Sequence, residues 1–163
     1  MTTTNVGVKD LILDVVPVLD TSNYTAGDVM SVTAELMTLS TREIAYPSSL
    51  LITDIDLTHH CDFEIWILRS EADIGDLNGA EALSAAEANE VLTIIPIVAD
   101  DYSDQTLFSY VQKNLADTGM GALLKGSENG KLYYALKYTC DRDDAYAAGD
   151  LNLKFGFGVV TVS

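Results

Sequence analysis

The densest group of side chains able to bind a metal or move a proton is His59-His60-Cys61-Asp62. On an extended chain successive residues point to opposite faces, so His59 and Cys61 share a side while His60 points away. Two ligands are too few for a closed zinc site, which takes four. Cys140 lies far off in the chain, and neither cysteine belongs to a CxxC or another close-spaced metal pattern. The expectation is a turn with one packed and one solvated histidine, no resident metal and no cofactor. Asp54 and Asp56 have the spacing that sets two carboxylates on one face of a strand, which suits Ca²⁺ or the acid pair of glycoside hydrolysis. Alternation gives a plainer reading, with Ile55 and Leu57 facing the core and the aspartates facing solvent. The turns Asp100-Asp101 with Asp104, and Asp141 with Asp143 and Asp144, are rich in oxygen but lack the central glycine and terminal glutamate of an EF-hand loop. They read as solvated turns, with weak divalent-ion binding as the alternative. The sequence has no G-x-S-x-G elbow, P-loop, G-x-G-x-x-G after a strand or H-E-x-x-H. The chain therefore reads as non-enzymatic, the remaining enzymatic alternative being a hydrolase with carboxylates assembled from distant loops.

The elements that must position these residues are mostly short strands. Val8 to Leu19 is rich in β-branched residues and leucine and stops at Asp20-Thr21-Ser22-Asn23, whose side chains bond their own backbone in turns. Strand signals follow over Asp28–Leu39, Leu50–Thr58, Phe63–Leu68, Val91–Ala99, Leu107–Gln112, Gly121–Lys125, Leu132–Thr139 and Leu151–Val160, with Leu50–Thr58 and Phe63–Leu68 expected to form a hairpin or corner. Ser70 to Asn89 is mainly loop, but Ser84-Ala85-Ala86-Glu87 has the form of a capping box and predicts a short helix over Ala85–Val91. About nine strands separated by turn clusters imply an all-β fold, a β-sandwich or jelly roll with one short helix. Residues 1–9 are expected to be an N-terminal arm and 10–163 one domain.

Two short segments echo one another: Tyr24-Thr25-Ala26-Gly27-Asp28 and Tyr146-Ala147-Ala148-Gly149-Asp150. The expectation is a pair of similar turns, with glycine at positive φ, aspartate on the turn amides and tyrosine at the core edge, the alternative being a duplicated ligand site. Gly156 and Gly158 leave one face of the last strand bare, so something packs closely there, either the chain itself at a strand or bulge or a neighbouring subunit.

Composition narrows the function. Nine Lys and Arg against 25 Asp and Glu give a net charge of −16, which repels phosphate backbones and anionic bilayers, so neither nucleic acid nor membrane is an expected partner. A hydrophobic fraction of 48% is too high for a disordered acidic tail. The most apolar stretch, Val91 to Ala99, is about half a membrane span. Met1-Thr2-Thr3-Thr4-Asn5 lacks the basic and apolar regions of a secretory signal, and two reduced, mostly buried thiols are the expectation, with a disulfide as the alternative.

The opening Val16-Pro17-Val18-Leu19-Asp20-Thr21-Ser22-Asn23-Tyr24-Thr25-Ala26-Gly27-Asp28-Val29, the alanine-rich middle loop and the closing Gly149-Asp150-Leu151-Asn152-Leu153-Lys154-Phe155-Gly156-Phe157 resemble small structural proteins of tailed bacteriophages. The specific part is the opening turn and the last strand. The better understood of these resemble head decoration or cement proteins on the capsid exterior, often trimers. The resemblance implies a virion protein made in the host cytoplasm, bound to the major capsid protein and self-associated as a homotrimer, with a head-fibre or tail module binding a host glycan as the alternative. Tyr24, Tyr146, Phe155 and Phe157 are the expected residues for packing near interfaces.

Overall fold

The computed structural model describes residues 6–116, 124–125 and 129–162. Among them run nine strands: β1 (Val6–Val15), β2 (Val29–Thr38), β3 (Glu43–Asp54), β4 (Phe63–Leu68), β5 (Val91–Ile97), β6 (Tyr102–Asp104), β7 (Ser109–Asn114), β8 (Lys131–Tyr138) and β9 (Leu151–Val162). The helix α1 covers only Ala85–Ala88, and its capping box is formed: the Glu87 amide donates to Ser84 Oγ at 3.2 Å and the Ser84 amide to Glu87 Oε2 at 2.8 Å.

One sheet has the order β1-β9-β3-β7-β6 and the other β2-β8-β4-β5, with every strand pair antiparallel. The pairs β1 with β9, β2 with β8, β3 with β7 and β4 with β5 are successive rungs of one long folded-back hairpin. Rolling that hairpin up brings β9 beside β3 and β8 beside β4, which is the jelly roll. The short β6 extends the first sheet at its edge.

Period-two alternation makes the core. From β9 come Leu151, Leu153, Phe155, Phe157 and Val159; from β4 Phe63, Ile65 and Ile67; from β8 Leu132, Tyr134, Leu136 and Tyr138. Facing layers of fully buried side chains of this kind stabilise by roughly 1.5–3 kcal/mol each before entropy is counted. A second, smaller cluster of Val29, Trp66, Leu68, Ala72, Ile74 and Ala135 lies where the loop after β4 covers the outer face of the four-stranded sheet.

Several elements depart from the sequence-based expectation. β3 starts at Glu43 rather than Leu50, because Pro47 hides the strand signal; it sits where the register with β9 shifts between Pro47 and Ser49, a bulge that tolerates a missing amide. Of the hairpin or corner expected between β3 and β4, the corner is the one that forms: the chain crosses between sheets after Asp54. Asp100 to Asp104, expected as a turn, holds a 3-10 turn and β6. Val6 to Lys9, assigned to an arm, are the first residues of β1 and pair with β9, and residues 1–5 lie outside the described residues. The expected strand Gly121–Lys125 also lies outside them, save Leu124 and Lys125; Leu124 exchanges two backbone bonds with Ala45 at 2.7 and 3.0 Å. The bare face of β9 is filled by the chain itself: a side chain at Gly158 would run into the Tyr46 ring, and one at Gly156 into Ser48 and Ser49 at the bulge.

Candidate functional site

The polar residues that the sequence singles out meet at one end of the sandwich, where β3 leaves its sheet and the chain enters β9. Leu50 and Ile52 point inward along β3, and alternation carries Asp54 to the same side, where it is 0% exposed. Ile55 is 60% and Leu57 39% exposed. The expected orientation of this segment is thus reversed. Leu50-Leu51-Ile52 is apolar at three successive positions, so the pattern alone leaves the inward parity open, and the core contacts of Leu50 and Ile52 decide it.

Beyond Asp54 the chain folds back in two side-chain-capped turns. The Asp56 amide donates to Asp54 Oδ1 at 2.9 Å, and the Thr58 amide and hydroxyl donate to Asp56 Oδ1 at 2.9 and 2.7 Å. These turns return His59 beneath Asp54, with Nδ1 3.0 Å from both carboxylate oxygens. Nε2 lies 3.0 Å from the Ala145 carbonyl and 3.5 Å from Asp56 Oδ2. With Asp54 ionised, both ring nitrogens face acceptors, an arrangement that suits a proton on each and so favours the imidazolium form of the buried ring. Burial opposes that charge, but the hydrogen bond and charge of Asp54, with Asp56 and Asp144 beyond, outweigh it and raise the His59 pKa. Burial likewise raises the Asp54 pKa, and the His59 contact offsets part of the rise. Tyr146 packs its ring against His59 with centroids 3.9 Å apart.

Next to this pair lies Cys61, fully buried. Its single S–H has two acceptors in reach, the His59 carbonyl at 2.9 Å and Asp144 Oδ2 at 3.3 Å, and the sulfur accepts from the Tyr138 hydroxyl at 3.2 Å and Arg142 Nη2 at 3.1 Å. Arg142 also donates to the carbonyls of Thr58 and His59 and to Asp144 Oδ2. The loop after β8 is thereby sewn to the loop after β3. His60 takes φ 34° and turns outward, stacking on Tyr102 at 5.0 Å and meeting Asp104 Oδ1 at 2.7 Å. The histidines therefore divide into one packed and one partly solvated.

The echoed segments are equivalent turns leading into β2 and β9. Gly27 and Gly149 have φ of 100° and 86°. Asp28 Oδ2 accepts from the Thr25 amide at 2.7 Å, and Asp150 Oδ2 from the Ala147 amide at 2.5 Å. Their tyrosines meet edge to face in the core, centroids 6.2 Å apart, and the Tyr24 amide bonds the Asp144 carbonyl at 2.7 Å.

Tyr24, Tyr146, Phe155 and Phe157 are each at most 1% exposed. As residues for packing at an interface they are corrected: the inward parity of β9 and the two turns spends their rings on the chain's own core. Asp54 and Asp56 do not share a solvent face. Asp101 caps the Val98 amide at 2.9 Å and pairs with Lys113 at 2.7 Å, Asp104 meets His60 and Asp144 meets Arg142, so these carboxylates of the acidic turns are held by protein partners. Among the described residues, no three His, Cys, Asp or Glu side chains come together as a set able to hold a metal ion. Arg142 and Tyr102 are members of the cluster that sequence reasoning missed, and Asp144, read there as part of a solvated turn, belongs to it as well. Their partners stand 41 to 84 residues away in the chain, and the only local signal was an arginine set among three aspartates.

Chemically, this arrangement is a lock. His59 Nε2 is spent on the Ala145 carbonyl, and the residue is only 2% exposed. An open hollow of about 410 Å³ lies elsewhere, against Val32, Thr33, Glu71, Asp73, Ile74 and Asp76, with no aromatic or basic group in its lining.

No family model and no curated protein sequence matches the chain. Its shape is similar to the structure of tomato aspermy virus, with 10% identity over 93% of this chain and 76% of that one and a TM-score of 0.41. It is also similar to the VP2 subviral particle of infectious bursal disease virus, with 13% identity, 94% and 32% coverage and a TM-score of 0.41, this chain spanning about a third of that protein. A third is desmodium yellow mottle tymovirus, with 14% identity, 100% and 90% coverage and a TM-score of 0.36. At these TM-scores the jelly roll rests on the chain's own strand order.

Proposed function

We propose that this protein is a non-enzymatic virion structural protein of a tailed bacteriophage, a capsid decoration or cement protein. It sits on the head exterior as a homotrimer, bound to the major capsid protein, and bridges adjacent capsomers. Bridging adds contacts that exist only in the closed shell and so stabilises that shell by mass action. The protein is made in the host cytoplasm and joins the head from outside, where an acidic surface does not meet packaged DNA.

The observation that carries this reading is the contrast, among the described residues, between a closed interior and one long regular edge. Jelly rolls serve viral capsids, lectins and cupins alike, so function has to be argued from what the molecule exposes. Here the reactive side chains are consumed in the loop lock. Of the four sheet edges, β2 is interrupted by three register shifts, β5 carries Pro96 and β6 is three residues long. Breaks of these kinds are how proteins blunt an edge. β1 has ten residues, no proline and no shift in register against β9. It exposes Val8 and Ile12 on one face and leaves Leu11, Leu13 and Val15 half-buried on the other. A regular edge that exposes Val8 and Ile12 between the charges of Lys9, Asp10 and Asp14 suits a protein whose work is adhesion to other protein through a mixed apolar and charged surface.

Sedimentation of the purified chain, alone and then with heads that lack it, tests the proposal. Trimers that pellet with heads and saturate at regular sites support it. A species that ignores heads but binds cells or a glycan array overturns it in favour of a receptor-binding module on a head fibre or tail.

A further inference from the structure

The strongest unassigned feature is the pair of cysteines. The register of β4 and β8 sets Phe63 opposite Tyr138, and the Thr139 amide continues the ladder to the Asp62 carbonyl at 3.0 Å. One further step sets Cys61 opposite Cys140, both on the core side of the sheet. Residues directly opposite in an antiparallel pair have Cα atoms about 4.5–5.5 Å apart, inside the range that a disulfide spans. The side chains share one environment: both thiols belong to the same core cluster as Tyr138, whose hydroxyl donates to Cys61 Sγ at 3.2 Å, and each thiol acts electrostatically on the other.

We infer that Cys61 and Cys140 form an oxidation site, at which a low-molecular-weight disulfide converts the two thiols into an intramolecular cross-strand bond without unfolding the sandwich. Cys61 is sealed at 0% exposure and Cys140 reaches solvent at 9%, so the reagent meets Cys140 first. Burial opposes the Cys140 thiolate, but the amides of Arg142 and Asp62 and the Cys61 thiol outweigh it and lower its pKa. Burial pushes the Cys61 thiol up to about 11. Cys140 thus attacks, and Cys61 resolves.

With oxidised glutathione as the reagent, the Cys140 thiolate attacks one glutathione sulfur, its sulfur–sulfur bond breaks and one glutathione thiolate leaves. Cys61 then attacks the Cys140 sulfur, loses its proton, and expels the second glutathione. The two cysteines lose two electrons, the reagent gains them, and the two thiol protons end on the two released glutathiones. The new bond ties the entry of β4 to the exit of β8 and closes a long loop, the arrangement that constrains the unfolded chain most.

The test treats the native wild-type chain with oxidised glutathione, traps remaining thiols by alkylation under denaturing conditions and maps the peptides by mass spectrometry. The expected result is a Cys61–Cys140 cross-linked peptide with no alkylatable thiol, formed in the monomer. The thermal midpoint should rise by roughly 5 °C or more, and dithiothreitol should return it to its starting value. Cys140→Ala, which leaves Cys61 and its partners in place, should show neither cross-link nor rise. Two alkylatable thiols after treatment, a lasting glutathione adduct on Cys140, or cross-links only between molecules would each overturn the inference.

Discussion

His59 and Asp54 hold opposite charges where water does not reach, and the energetics of that pair depend on both members. Each ion loses several kcal/mol of hydration, which the close contact and the surrounding amide and carbonyl bonds offset. Removing one member strands the other, so Asp54→Asn or His59→Gln should each cost about 3–5 kcal/mol, read as a fall in the urea midpoint. The pH dependence has a definite sign. Because the folded His59 pKa is raised above the ordinary 6.5, its contribution is complete below that value and is lost as pH rises through the folded pKa. Urea midpoints measured upward from pH 6.5 should therefore fall, and His59→Gln should flatten that decline. A packed histidine was legible in the chain, since His59 and Cys61 share a face of an extended segment. Its partner was not: Asp54 reads as a surface residue until Leu50 and Ile52 fix which side of β3 is inside.

The two tyrosine turns show what local sequence specifies well. Glycine at positive φ, an aspartate directly after it that caps the amide three residues back, and a strand that follows are all signalled within five residues, and the structure forms both turns as read. At Gly27 and Gly149 an added Cβ would meet nothing within 4 Å, so Gly149→Ala should cost only the backbone penalty of about 1–2 kcal/mol. Asp150→Ala removes a carboxylate bond to the turn and should cost about 1–3 kcal/mol by the same urea measurement. Gly158→Val is a different matter: the outer end of the half-buried Tyr46 ring must swing off β9 to make room, so the expected cost is the lost packing of that ring, about 1–3 kcal/mol by the same urea measurement. Elements whose form depends on distant partners were harder to read. Pro47 argues against a strand unless the bulge against β9 is known, and Tyr102 to Asp104 become β6 only because β7 lies beside them.

Across the whole molecule, the count of short strands and turn clusters was enough for a sandwich or jelly roll, while the order of strands within each sheet came only from the structure. Among the described residues that order leaves β1 as a long edge in unbroken register with β9, and with it the surface on which the proposed role depends. Ile12 is 74% exposed, so Ile12→Lys should leave the urea midpoint within about 0.5 kcal/mol of wild type. It should nevertheless weaken binding to heads by tenfold or more, measured by co-sedimentation. The most direct measurement is an electron-microscopy reconstruction of heads lacking this protein after the purified chain is added. The account predicts three-fold clusters of jelly-roll density at regular positions on the outer surface, each touching more than one capsomer. Bare outer surfaces at saturating protein, or density at a fibre or tail instead, would contradict it.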